Sequence, residues 1–220
     1  CCGIMVNAGS RDEDCRREGL AHFVEHTLFK GTSKRRAWHI LNRMESVGGE
    51  LNAYTNKEET TVYTVAPSGH FDRSCELLAD IVINSEFPCN ELEKERDVVC
   101  DEIDSYRDVP SEMIFDEVDE RLWKGSTLSH NVLGTKSTVG RFTSKDCQEW
   151  LNEMFTPANS VFYYTGAMSP CSVIKKVEKY FAGYDRSDRK INRSTPDCTE
   201  IYFDRMKIDS HQCHAAETFR

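Results

Sequence analysis

Hydrophobic and polar residues follow two periods along the chain, and each period predicts a different kind of element. Alternating or short apolar runs predict strands at 2–8, 50–55, 60–66 and 160–164. Apolar positions three and four residues apart predict helices in a segment that ends at 31 and at 36–46, 71–84, 90–107, 112–123, 143–155 and 169–181. The polar segment 185–196 predicts a loop, followed by a last strand.

The order of these elements predicts the fold class. Helices are not interleaved strictly with strands, so the order favours an α+β fold over a doubly wound parallel sheet. A chain of 220 residues can bury a sizeable core. We therefore expect residues 1–220 to form a single domain.

The predicted helix 90–107 has its own start signal. Asn90 is predicted to cap it, and Glu93 three residues later completes a capping box. The predicted apolar stripe of this helix consists of Val98, Val99, Ile103 and Tyr106. Glu95 and Glu102 are seven residues apart, or two helical turns, so these two carboxylates share one face.

The stretch His22-Phe23-Val24-Glu25-His26 is the strongest chemical signal in the chain. On a helix, positions i, i+3 and i+4 lie on one face, so two imidazoles and a carboxylate converge there. Two neutral imidazoles form half of a zinc site, and a free glutamate beside them can accept a proton from water. The spacing H-x-x-E-H is a known pattern of zinc hydrolases.

A catalytic zinc site usually needs a third protein ligand and keeps one position for water. The spacing leaves open whether Glu95 or Glu102 supplies that ligand, or whether both are solvated acids on an amphipathic helix. A structural zinc site normally has four protein ligands, often cysteines, and no cysteine lies within or beside the motif. Cys100 is close to Glu102 in sequence, but an offset of two residues points about 200° away on a helix. If a metal binds here, the absence of nearby cysteines favours a catalytic over a structural site.

Charge and hydropathy limit the possible partners. The 28 basic and 37 acidic residues give a net charge of −9, which argues against nucleic acid as a partner. No apolar run approaches the roughly 18 residues of a membrane helix, so we expect no membrane partner. The hydrophobic content of 39% is typical of a folded domain.

The ten cysteines are interpreted as free thiols, because the chain is long enough to fold without disulfides and has no C-x-x-C pair. Four of them lie in apolar or helical patterns and are predicted to be small buried hydrophobic residues: Cys1, Cys2, Cys75 and Cys171. Free thiols favour a cytoplasmic location. The chain opens at Cys1, so any targeting segment would lie upstream of it.

Several stretches together resemble the pitrilysin/insulinase family of zinc peptidases. The stretch 19–32, GLAHFVEHTLFKGT, resembles the family signature. The similarity continues, in the family's order, through residues 49–55, 95–99, 102–103, 130–134, 163–166 and 179–181. It is closest to the branch that contains the mitochondrial processing peptidase and its bacterial relatives.

The resemblance implies a set of site residues for zinc-dependent peptide hydrolysis. In this family the third zinc ligand follows the second histidine by about 76 residues, which is the position of Glu102. The implied Zn²⁺ ligands are therefore His22, His26 and Glu102. Glu25 is implied as the general base that passes the proton of water to the leaving amine. Glu95 is implied as a supporting member of the catalytic group.

The resemblance also implies a place for the substrate. It puts Asn52, Ala53 and Tyr54 on an edge strand beside the zinc, where an extended peptide can pair through backbone hydrogen bonds. The pattern alone fits an ordinary hairpin equally well. The substrate-binding role of these residues therefore depends on the resemblance, which implies a peptide or unfolded polypeptide as substrate.

Family members usually begin a strand or more before this chain does, and active ones contain two similar units in one chain or two. The resemblance implies that 1–220 is the N-terminal, zinc-binding unit of an endopeptidase or oligopeptidase, completed by a second homologous unit. One alternative is a noncatalytic peptide-binding scaffold subunit, although such subunits typically lose the motif. Another is a zinc hydrolase with a non-peptide substrate. His211 and His214 are interpreted as isolated surface histidines.

Overall fold

The computed structural model describes residues 1–186, 191, 193–196, 203, 205–207 and 213–218. Within these residues one antiparallel sheet contains β1 (Cys2–Val6), β2 (Glu50–Thr55), β3 (Thr60–Val65) and β4 (Ser160–Tyr164). The strand order is β2-β3-β1-β4, so β2 and β4 form the two edges of the described sheet.

The hairpin β2–β3 sets the register of one edge. Thr55 lies opposite Thr60, and Glu50 lies opposite Val65. The side chain of Asn56 closes the turn, because its Oδ1 accepts hydrogen bonds from the backbone N–H groups of Glu58 and Glu59, both at 2.8 Å. An asparagine that replaces backbone partners in this way is a common turn former.

The helices cover the sheet and pack against one another. They are α1 (Leu20–Thr27), α2 (Ala37–Glu45), α3 (Phe71–Asn84), α4 (Cys89–Arg107), α5 (Pro110–Leu122), α6 (Lys136–Val139), α7 (Ser144–Met154) and α8 (Pro170–Tyr180). Short 3₁₀ turns lie at Ser10–Asp12, Thr127–Ser129 and Pro157–Asn159. The α+β prediction is confirmed, whereas α6 and the 3₁₀ turns had no sequence prediction.

Helix α1 lies at the centre of the packing. Six of its eight residues are buried, and it contacts β2, α4 and α7. Phe23 and Val24 are fully buried, and each such side chain stabilises the fold by roughly 1.5–3 kcal/mol. The helix ends at Thr27 rather than near residue 31, since Leu28 to Lys30 form a turn. The packing of α1 against α4 brings two separate parts of the sequence together.

The predicted start of the fourth helix is wrong. Helix α4 begins at Cys89. Its N-cap residue is Pro88, whose side chain has no group that could accept a capping hydrogen bond. The side-chain amide of Asn90 instead donates to the carboxylate of Glu91, at 3.0 Å. No capping box forms with Glu93, because Asn90 is already inside the helix.

The predicted apolar stripe of α4 also needs correction. Val98 is 49% exposed. The buried positions of the helix are Leu92, Glu95, Val99 and Ile103, at spacings of three and four residues. A carboxylate thus occupies a position on the buried face of α4, which a purely hydrophobic pattern does not predict.

The cysteine predictions are right for two residues and wrong for two. Cys2 and Cys75 are buried, whereas Cys1 and Cys171 are exposed. Cys1 precedes β1 at the chain terminus, and Cys171 lies in the first turn of the surface helix α8. All nine cysteines in the described residues are free thiols.

The remaining sequence predictions concern the C-terminal part. The described residues between 185 and 196 lie outside helices and strands, as expected for a loop. The predicted last strand and His211 fall outside the described residues, while His214 is described and partly buried. No helix in the described part of the chain is both long and apolar enough to cross a membrane.

Candidate metal centre

The N-terminus of α1 is fixed by a buried carboxylate. The N-cap residue is Gly19, with φ of +89°, and it has no side chain for capping. The carboxylate of Glu13 accepts hydrogen bonds from the backbone N–H groups of Gly19 (2.8 Å) and Ala21 (2.7 Å) instead. A Cβ at Gly19 would lie 2.6 Å from the carbonyl oxygen of Leu133, so only glycine fits there. These contacts hold the helix that carries both histidines.

Three side chains from α1 and α4 converge on one point. The Nε2 atoms of His22 and His26 are 3.2 Å apart. The Oε2 atom of Glu102 lies 3.4 Å from Nε2 of His26 and 3.7 Å from Nε2 of His22. Among the His, Cys, Asp and Glu side chains of the described residues, His22, His26 and Glu102 form a group close enough to hold a metal ion.

The spacing of these three atoms fits a small cation. Zinc binds nitrogen and oxygen at about 2.0–2.2 Å, which gives a coordination tetrahedron with edges of about 3.3–3.6 Å. The three observed separations, 3.2 to 3.7 Å, are close to those edges. The Oε2 atom of Glu102 is also buried without a well-formed hydrogen bond, which is costly for a carboxylate unless a cation or donor completes it. The residues present therefore fit a zinc ion.

The opposite side of the His26 ring has its own support. Nδ1 of His26 lies 3.0 Å from Oε1 of Glu95, whose side chain is only 9% exposed. The other oxygen of Glu95, Oε2, lies 2.6 Å from Nζ of Lys30. Burial acts to raise the pKa of Glu95, but the bonds to His26 and Lys30 keep it below its usual range. Glu95 is thus an ionised acceptor.

The two histidines differ in charge. Burial and repulsion from His26 lower the pKa of His22, although Glu102 opposes the shift. Burial also acts to lower the pKa of His26, but its interactions with Glu102 and Glu95 outweigh burial and raise the pKa to about 9. Contact with His26 lowers the pKa of Glu102. Near neutral pH, His22 is therefore neutral, and His26 carries a positive charge between two carboxylates.

Glu25 directly precedes His26 on α1 and is partly buried beside the converging group. Burial raises the pKa of its carboxyl group, while a hydrogen bond with Thr55 opposes the rise. The charges of His26 and Glu102 also act on it, so it lies within electrostatic range of both. A carboxylate with a raised pKa is a better proton acceptor than an ordinary glutamate. Glu25 can act as a base beside a bound cation.

A family model described as insulinase, peptidase family M16, matches residues 1–136. The chain belongs to this family. Its matched part includes the H-x-x-E-H motif, the hairpin β2–β3, and Glu95 and Glu102 of α4.

This insulinase-family chain is similar to proteins from bacteria and eukaryotes. The chain is 32% identical over 218 residues to the uncharacterized zinc protease YmxG of Bacillus subtilis. This alignment covers 99% of this chain and 53% of that protein. It is 32% identical over 186 residues to the mitochondrial-processing peptidase subunit beta of Caenorhabditis elegans, covering 84% of this chain and 41% of that protein. The chain therefore spans about half the length of the curated relatives it matches.

Solved structures support the fold. A protease from Helicobacter pylori superposes with a TM-score of 0.81 at 23% identity, over 90% of this chain and 47% of that chain. A Pseudomonas fluorescens structure described as a peptidase M16 inactive domain gives a TM-score of 0.81 at 16% identity, over 89% of this chain and 48% of that chain. Both similarities confirm the architecture of one M16 half unit.

The edge strand of this M16 unit lies beside α1. Along β2, residues alternate between exposed and partly buried, and Asn52 and Tyr54 are on the exposed face. Ala53 is partly buried, and its backbone N–H donates to Oδ1 of Asn52 at 2.9 Å. The described residues leave the outer side of β2 without a neighbouring strand. The three residues predicted to bind substrate thus lie on an open sheet edge.

The structure shows that Glu95 and Glu102, which sequence spacing could not tell apart, contact opposite sides of His26. Glu102 reaches the Nε2 side of the imidazoles and Glu95 reaches the Nδ1 side of His26. Sequence reasoning missed Lys30 and Glu13. Lys30 had one available signal, its position four residues after His26, but the turn after Thr27 makes helical spacing uninformative there. Glu13 lies six and eight residues before its partners Gly19 and Ala21, a spacing outside the usual capping patterns.

Proposed function

We propose that this chain is the metal-binding unit of a zinc-dependent peptidase that hydrolyses peptide bonds, with His22, His26 and Glu102 as zinc ligands. The main support is the convergence of their three ligand atoms at separations of 3.2 to 3.7 Å. The group offers three ligands, which is the number typical of catalytic rather than structural zinc. Family membership and relatives named zinc proteases support the choice of metal.

The residues around the ligands have separate tasks in this proposal. Zinc, when bound, polarises the scissile carbonyl and makes water easier to deprotonate. The Glu25 carboxylate accepts the proton at a carboxyl oxygen and then releases it to the leaving amine. Its raised pKa helps both steps, because the acid form must persist until the amine departs. Glu95 orients His26 from the far side of the ring.

The substrate in this proposal is an extended peptide. Such a peptide can add to the open edge of β2 through backbone hydrogen bonds, a recognition mode that depends little on side chains. The Asn52 amide then exchanges its bond with the Ala53 N–H for bonds to the peptide. Tyr54, which is 43% exposed, offers an aromatic surface on the same face.

A second homologous unit, in the same protein or in a partner chain, completes the enzyme in this proposal. The curated relatives are about twice as long as the region they share with this chain. One of them is named as a subunit of a processing peptidase. A 220-residue unit can therefore hold zinc and still depend on a second unit for full activity.

The alternative of a noncatalytic peptide-binding scaffold has one observation in its favour, the fold shared with an M16 inactive domain. Against it, His22, Glu25, His26 and Glu102 are all present and grouped. Such a scaffold would bind unfolded peptide with no turnover in any assembly.

The first experiment measures zinc and peptide cleavage together. The protein is dialysed against a weak chelator, and bound zinc is measured by elemental analysis. Cleavage of a quenched fluorescent peptide library is followed in the same samples of the 220-residue chain and of the longer protein. Glu25→Gln should keep zinc and lose at least about 100-fold in turnover, as expected for a general base. Equal turnover in parent and Glu25→Gln would contradict the proposed mechanism.

A further inference from the structure

Lys30 forms a short ion pair with the buried carboxylate of Glu95. Nζ of Lys30 lies 2.6 Å from Oε2 of Glu95, while Oε1 of the same carboxylate lies 3.0 Å from Nδ1 of His26. Each oxygen of Glu95 thus has one partner. The pair is mostly shielded from solvent, since the side chain of Lys30 is 27% exposed and that of Glu95 is 9% exposed.

The backbone around Lys30 is fixed on both sides. The N–H of Lys30 donates to the carbonyl oxygen of Thr27 at 3.1 Å. The carbonyl oxygen of the next residue, Gly31, accepts from the N–H of Glu86 at 3.0 Å. Residue 86 lies in the segment that leads into α4. The ammonium group therefore extends from a firmly held turn toward α4.

The His26 ring depends on Glu95 for its orientation. An imidazole that donates Nδ1–H to a carboxylate presents its Nε2 lone pair to a metal. His22 has no comparable support, because its Nδ1 is buried without a hydrogen-bond partner in the described residues. The orientation of the ligand set therefore rests on the contact between Glu95 and His26.

We propose that Lys30 is a positioning residue that holds the Glu95 carboxylate against Nδ1 of His26 and so keeps Nε2 of His26 aimed at the cation site. This inference rests on the proposed zinc-binding function. Without the ammonium group, one oxygen of a buried carboxylate would lose its partner. Glu95 would then gain by turning toward water, away from His26.

Simple electrostatics predicts the opposite effect of removing Lys30. A positive charge near a cation site repels the cation, so its removal should tighten binding if charge were the only effect. A positioning role predicts weaker binding, because the ring loses its support. The sign of the change in zinc affinity therefore distinguishes the two effects.

The test compares three single variants by zinc competition with a chromophoric chelator at constant pH. Lys30→Met, which keeps the length and loses the charge, should weaken zinc binding about tenfold, the lower end for losing an outer partner of a ligand. Lys30→Arg should stay within about threefold of the parent, because its guanidinium can still pair with a carboxylate. Lys34→Met is the matched control, since Lys34 is exposed and 3.8 Å from Asp80. Unchanged or tighter binding in Lys30→Met would overturn the proposal.

A double-mutant cycle with Glu95→Gln tests whether Lys30 acts through Glu95. In the Glu95→Gln background, Lys30→Met should cause no further loss of affinity, because the contact it supports is already broken. Equal losses in both backgrounds would show that Lys30 acts independently. A purely structural role would lower the melting temperature of the metal-free protein and leave zinc affinity unchanged, which would also contradict the inference.

A metal-free measurement separates this inference from the proposed function. By proton NMR, the parent and Lys30→Arg should show a slowly exchanging, downfield Hδ1 resonance of His26, and Lys30→Met should lose it. A parent that binds no zinc would refute the proposed function, while the resonance would still decide the role of Lys30. Persistence of the resonance in Lys30→Met would contradict the positioning role.

Discussion

The protonation of one histidine links metal binding to pH. His26 has a pKa of about 9 because two carboxylates outweigh the effect of its burial. A zinc ligand must present a free lone pair, so the cation competes with this proton. His22 has a lowered pKa and is already neutral near pH 7. The cost of deprotonation therefore falls mainly on His26.

Zinc affinity should rise with pH between 6 and 8. Binding releases about one proton below the pKa of His26, so the association constant should increase about tenfold per pH unit. The increase should level off above pH 9, where His26 is already neutral. Chelator competition at several pH values measures the slope. A flat profile between pH 6 and 8 would mean that His26 is not a ligand.

Glu102 and Glu93, both on α4, should respond differently to loss of charge. Glu102→Gln should weaken zinc binding at least about 100-fold, since losing an outer partner of a ligand alone costs 10–100-fold. Glu93→Gln is the control, because Glu93 is exposed on the same helix. Similar zinc affinities in the two variants would remove Glu102 from the ligand set.

At the level of the elements, periodicity predicted which elements form better than it predicted where they begin and end. The hairpin β2–β3 and the helix at the motif were both predicted from local sequence pattern. The ends of two helices differ from the predicted ones, since α1 ends at Thr27 and α4 begins at Cys89. Asn90 lies within a helix that starts at Cys89, and Glu95 occupies a buried position that apolar periodicity would assign to a hydrophobic residue. Spacing placed Glu95 and Glu102 on one face, but only tertiary packing determines what each one contacts.

The capping of α1 by Glu13 should be measurable as stability. In Glu13→Gln one acceptor oxygen becomes a donor that faces a backbone N–H, so unfolding should become easier by about 1–3 kcal/mol. Glu45→Gln, a change at an exposed site, is the control. Urea unfolding of the metal-free proteins gives both values. Equal stabilities would show that the bonds from Gly19 and Ala21 contribute little.

At the level of the whole molecule, the proposed metal ligands, Glu25 and the edge strand β2 all belong to this unit. The curated relatives extend well beyond the shared region. In the proposed function, the described unit therefore supplies the groups for metal binding and proton transfer, and the second unit completes the enzyme.

Metal binding and turnover should separate when the chain is tested alone and in its longer form. The 220-residue chain should bind zinc within about threefold of the longer protein, because all three proposed ligands are in this unit. Its peptide turnover should be at least about 100-fold lower, because positioning of the substrate accounts for a large part of enzymatic rate enhancement. Comparable turnover of the two forms would show that one unit is sufficient.

The open edge of β2 also has a consequence for solubility. A row of unpaired backbone groups can pair with the same strand of another copy, which is a common start of aggregation. The Asn52 side chain occupies the N–H of Ala53, and the acidic Glu50 lies at the strand's beginning. These features oppose edge-to-edge association. Asn52, which we propose contacts the peptide substrate, would thus also keep free copies of the protein apart.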